Sequence, residues 1–146
     1  MKGLRGDRVM QELYHTSATS EGGRNGRANL AEGGIGLAMA LPKSMGGSGK
    51  GSNPEQLFAL GYSACFNQAI LVVGGQHKVD VQHAEVTVDV GIGKTEAGGF
   101  GLAVGIKIRL PGVDAAKAKE IVDGAHKICP YSNATRGNIP VTLEIV

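Results

Sequence analysis

The residue pattern predicts an α+β fold in the order β-β-β-α-β-β-α-β, with two central helices packed with antiparallel sheets. Three features carry this reading. Residues 84–92 and 100–110 alternate apolar with polar or small residues, the period of half-buried strands. Residues 53–75 make a capped, almost wholly apolar helix. Residues 114–129 place Ala115, Ala118, Ile121, Val122, Ala125, Ile128 and Cys129 on one helical face.

Taken in order, residues 13–20 read as a first strand, and a Gly-rich turn leads into a second around 27–30. After Gly33-Gly34, Ile35, Leu37, Met39 and Leu41 alternate as a third strand, and residues 42–52 form a Gly/Ser/Lys loop. Asn53 is suited to the N-cap, Pro54 to the first helical position and Gln56 to the capping-box position; Gly74-Gly75 should end that helix. The two alternating runs around residues 94–99 predict a hairpin. Asp114 should cap the second helix and Pro130 stop it, before a last strand through Val141, Leu143 and Ile145. The expectation is two halves, each a small antiparallel sheet plus a helix, in one domain over residues 13–146 behind a polar tail at 1–12.

The bulk properties narrow the function. With 15 basic and 13 acidic residues the formal net charge is +2, too balanced to suggest a nucleic-acid or membrane-surface partner. The opening residues lack the apolar run of a secretory leader, so a cytoplasmic setting is expected. Two cysteines in such a setting are normally reduced. They form no CxxC motif, and no cysteine or histidine has structural-zinc spacing, so neither a metal nor a bound cofactor is expected.

Cys65 lies mid-helix, where a core hydrophobe is by itself the better account. The helix dipole acts mainly in the first turn, so a reactive thiol there would need a cation from elsewhere. Cys129 ends the second helix on its apolar face, with the same alternative. The turn EGGRNGR at 21–27 could cradle an anion or could be a hairpin turn with solvated arginines. Glu55 suits the start of a helix on dipole grounds alone.

Two long motifs weigh against the bland accounts. NPEQLFALGYSACF at 53–66 and CPYSNATRGNIPV at 129–141 resemble the first- and second-cysteine motifs of the organic hydroperoxide resistance (Ohr) proteins of the Ohr/OsmC superfamily. GGRNGR and the loop before Asn53 match in order and spacing, and the likeness covers roughly residues 13–146. The resemblance implies that Cys65 attacks peroxide, Cys129 resolves, Arg24 stabilises the thiolate and Glu55 holds Arg24. It further implies an intertwined homodimer and dihydrolipoyl groups on a carrier protein as external reductant. Leu57, Phe58 and Phe66 could line a channel for an organic hydroperoxide, or could be ordinary core. Arg27 and Arg136 are assigned no catalytic role. A non-catalytic thiol-based redox sensor or binding module is the alternative from another class.

Overall fold

The computed structural model describes residues 10–146, so most of the expected tail lies outside the described residues. They fall into two compact units that divide between Asn53 and Pro54. In the first unit, β1 (Ala18–Glu21), β2 (Arg27–Leu30) and β3 (Gly36–Ala38) form an antiparallel sheet in that order. β1 begins later than the apolar pattern suggests because β2 ends at Leu30, opposite Ala18, and the Ala31 N–H bond to the Ser17 carbonyl extends the pairing by no full residue pair. β3 is shorter than expected for a similar reason: Met39 leaves β2 and bridges Ser52.

In the second unit, helix α1 (Pro54–Gln76) lies against β4 (Glu85–Lys94) and helix α2 (Ala115–Ile128). β4 and β5 (Phe100–Arg109) pair antiparallel from Glu85↔Arg109 to Lys94↔Phe100, closing the predicted hairpin. β6 (Val141–Ile145) then joins β5 in parallel. The sheet is therefore mixed and not purely antiparallel. The crossover through α2 and α3 (Pro130–Thr135) returns the chain to run in the same direction as β5, as parallel neighbours require. The helix α1 belongs with this sheet and not with the first one, which corrects the expected division into halves.

The core of this unit is built from Tyr62, Phe66, Ile70, Ile106, Ile108 and Ile121, all 1% exposed or less. By length and composition α1 could also cross a membrane, but one face of it is packed into this core. Asp114 caps α2 as expected, accepting a hydrogen bond from the Lys117 backbone N–H at 2.9 Å.

The end of α1 differs from the expectation. Gly74 stays helical because the chain packs on it: an added Cβ would lie 2.3 Å from Val81 Cγ2. The helix stops at Gln76, and two residues on Lys78 takes the left-handed conformation with φ 56°. The Val79 N–H then bonds the Gly74 carbonyl and the Lys78 N–H the Gly75 carbonyl, the paired bonds of a Schellman cap. The second helix stops before Pro130, as expected, but another helix follows at once. Cys129 is extended (φ −63°, ψ 121°), and Pro130, which stops α2, serves as the first residue of α3.

Candidate active site

Residues three and four apart share a helix face, so Tyr62, Cys65 and Phe66 point from α1 toward the same neighbours. Cys129 stands at the junction of α2 and α3, fully buried, while Cys65 is half-buried. Their sulfurs are 3.8 Å apart, and both thiols are free. A disulfide needs about 2.05 Å, so the sulfurs would have to close by roughly 1.8 Å to bond.

Burial is the main influence on Cys65, and it pushes the thiol above its ordinary pKa. The Tyr131 backbone N–H donates to the sulfur and acts in the opposite sense by favouring the thiolate. Cys129 raises Cys65 further, through like-charge repulsion between the two thiolates and through the hydrogen bond between the sulfurs. The second unit thus supplies a thiol positioned for bonding but shifted away from ionisation, as expected for a cysteine in mid-helix.

The cation proposed from the sequence belongs to the first unit. Arg24 lies half-buried in the 3-10 turn Gly23–Asn25, between β1 and β2. Glu55 is in the first turn of α1 and is also half-buried. The other two arginines near the motifs have local partners. Arg27 Nε donates to Asn29 Oδ1 at 3.2 Å. Arg136 donates to Asn133 Oδ1 at 2.9 Å and to the His126 carbonyl, tying the end of α3 to the last turn of α2.

Of the residues suggested as a channel lining, Phe58 borders an apolar groove of about 740 Å³, together with Phe100, Leu102, Tyr131 and Ile139. Phe66 has no exposed surface and packs within the core beside the His126 ring, so it walls no open space. Leu57 is half-buried on α1, apart from the groove lining.

Near the two thiols, sequence reasoning singled out Phe58 but overlooked Tyr62, Tyr131, Ser132 and Thr135. Phe58, Tyr62 and Tyr131 form an aromatic cluster, with ring centroids 5.5 to 5.9 Å apart. The Tyr62 hydroxyl lies 2.9 Å from Ser132 Oγ and 3.1 Å from Thr135 Oγ1, all three residues being buried. The available signal was a tyrosine inside an otherwise apolar helix, since a buried phenol needs a polar partner. Nδ1 of His126 is buried without a hydrogen-bond partner among the described residues, and burial first, then Arg136, lowers its pKa. No three His, Cys, Asp or Glu side chains among the described residues are grouped to hold a metal ion.

Residues 47–144 match the family model of the OsmC-like proteins. The chain is 48% identical over 136 residues to the organic hydroperoxide resistance protein of Xanthomonas axonopodis pv. citri, covering 91% of this chain and 94% of that one. The crystal structure of an organic hydroperoxide resistance protein from Elizabethkingia anophelis superposes with a TM-score of 0.89 at 45% identity, covering 93% of this chain and 98% of that one. OhrB of Bacillus subtilis superposes with a TM-score of 0.84 at 37% identity, over 92% and 100% of the two chains. A thiol pair held by two long motifs, on this topology and at these identities, places the chain in the OsmC-like family, among the organic hydroperoxide resistance proteins.

Proposed function

We propose that the protein is a thiol peroxidase that reduces organic hydroperoxides to alcohols, with Cys65 as the attacking thiol and Cys129 as its resolving partner. The observation that carries this reading is the 3.8 Å separation of two free sulfurs from residues 64 apart in sequence. Inert core thiols have no need to meet.

The Cys65 thiolate attacks the peroxide oxygen remote from the organic group. The O–O bond breaks, an alcohol leaves once protonated, and Cys65 becomes a sulfenic acid. Cys129 then attacks the sulfenyl sulfur, forming the disulfide and releasing water. A dithiol reduces the disulfide by exchange, its own two sulfurs being oxidised. Because burial opposes ionisation of Cys65, the reaction needs a cation. Arg24 fills that role in this proposal, stabilising the thiolate and the charge developing on the departing oxygen, with Glu55 orienting the guanidinium. The apolar groove beside Phe58 and Tyr131 suits an alkyl, fatty-acid or aryl hydroperoxide. Hydrogen peroxide would gain nothing from it.

The reductant in this reading is a dihydrolipoyl group carried by a partner protein, the working form is a homodimer, and the setting is the cytoplasm, where disulfides are readily reduced. The decisive experiment supplies cumene hydroperoxide and dihydrolipoamide and follows peroxide loss. Many turnovers per chain, abolished in Cys65→Ser, are expected. A single stoichiometric oxidation would instead indicate a sensor. Equal kcat/KM for hydrogen peroxide would remove the preference for organic substrates.

A further inference from the structure

Tyr62 has no exposed surface, yet its hydroxyl is fully engaged: Ser132 Oγ lies at 2.9 Å and Thr135 Oγ1 at 3.1 Å. Thr135 Oγ1 in turn donates to the Ser132 carbonyl at 3.2 Å. All of these partners belong to α3. A helix of six residues cannot hold its own place or shape. Yet the α3 segment carries both groups that act on Cys65, because Cys129 precedes its first residue and the Tyr131 N–H bonds the Cys65 sulfur. The geometry is regular. One turn back from Cys65 along α1 is Tyr62, and one turn on from Cys129 is Ser132, so the hydroxyl contact is the neighbouring rung to the sulfur contact.

We propose that Tyr62 is a positioning residue for disulfide formation: its hydroxyl holds α3, through Ser132 and Thr135, so that Cys129 stays in line with Cys65. This role rests on the two-cysteine peroxidase reading above. Its chemical consequence is a choice between two fates. The Cys65 sulfenic acid either condenses with Cys129, releasing water, or meets a second hydroperoxide, which oxidises it to the sulfinic acid and leaves as an alcohol. Condensation depends on the orientation of Cys129 and the second oxidation does not. Loosening α3 therefore slows only the first and raises the sulfinic fraction.

The test is Tyr62→Phe, which removes one oxygen and keeps the ring. Rapid quench and intact-protein mass spectrometry would measure disulfide and sulfinic acid against hydroperoxide concentration. Disulfide formation should slow on the order of 3- to 10-fold, from the usual worth of a hydrogen bond. The sulfinic fraction should rise by a similar factor, while the second-order rate of the first peroxide attack changes less. Ser132→Ala approaches the same contact from the α3 side and should move the ratio in the same direction, which keeps the test available if Tyr62→Phe folds poorly. Ile121→Val, a core substitution on α2 that removes no hydroxyl, controls for simple loss of stability and should leave the ratio unchanged. A wild type that forms the disulfide while both hydroxyl variants keep its ratio overturns the role of Tyr62. A wild type that never forms the disulfide overturns the two-cysteine reading itself, and this role with it.

Discussion

Replacing Gly61 by alanine sets helix propensity against the geometry around Cys65. Inside a helix, Gly→Ala should stabilise by about 1 kcal/mol. At Gly61 the new methyl would lie 2.6 Å from the Tyr131 hydroxyl oxygen, 3.1 Å from Cζ and 3.3 Å from Cε2. Ordinary contact begins near 3.5 Å, so the Tyr131 ring must retreat by roughly 1 Å. That ring packs edge-on against Phe58 and tilted against Tyr62, contacts worth about 0.5–1.5 kcal/mol each. Setting their loss against the helix gain leaves the variant between neutral and about 2 kcal/mol less stable, measurable by urea denaturation. The larger effect should be on reactivity. Moving Tyr131 strains its N–H contact with the Cys65 sulfur, and a bond to a charged group is worth about 1.5–3 kcal/mol. Alkylation of Cys65 by iodoacetamide at fixed pH should therefore slow about tenfold or more. Adding Tyr131→Phe removes the nearest atom, leaves Cζ at 3.1 Å, and should recover most of both losses. A Gly61→Ala variant that gains the full helix increment and alkylates at the wild-type rate would refute this reasoning.

Three further outcomes are expected. Cys129→Ser should lower the pKa of Cys65, because Cys129 raises it by charge and by hydrogen bonding; the alkylation profile against pH should shift to lower pH, and an unshifted profile counts against the coupling. His126 has a folded pKa below its ordinary value of about 6.5, so its contribution to stability is complete above that value and is lost as pH falls and the unfolded chain takes up the proton. Urea midpoints should decline from pH 7.5 to 5.5, less steeply in His126→Asn; identical slopes would exclude His126 as the cause. Gly74→Ala should destabilise by about 1–3 kcal/mol despite its helical site, since the methyl meets Val81 Cγ2 at 2.3 Å, and the added change Val81→Ala should cost less than the two separate losses combined.

Elements with strong local patterns were legible in the sequence. The hairpin of β4 and β5 and the capped start of α2 follow from period-two alternation and from Asp114. What was not legible depended on partners distant in sequence. β1 and β3 are cut short by the length of β2, which their own residues do not encode. Gly74 looked like a helix end, but its role is to admit Val81, and the left-handed position fell to Lys78. Pro130 was correctly read as a stop, while its second role, opening α3, needed Ser132 and Thr135 to have a partner on α1. At the site, the motifs singled out both cysteines, and folding brought them together. Tyr62 was hidden because a tyrosine in an apolar helix looks like core until its hydroxyl partners are known.

The separation of the two thiols along the chain has a thermodynamic consequence. A bond between Cys65 and Cys129 would close a loop spanning 64 residues. Loop-closure entropy assigns such a cross-link about 4 kcal/mol of stabilisation, through restriction of the unfolded chain. This is a sizeable share of the roughly 5–15 kcal/mol that holds an ordinary domain together. Each catalytic turn would therefore also be a cycle of durability. In the proposed cycle, the disulfide form awaiting its reductant would resist unfolding and proteolysis better than the dithiol form ready to react.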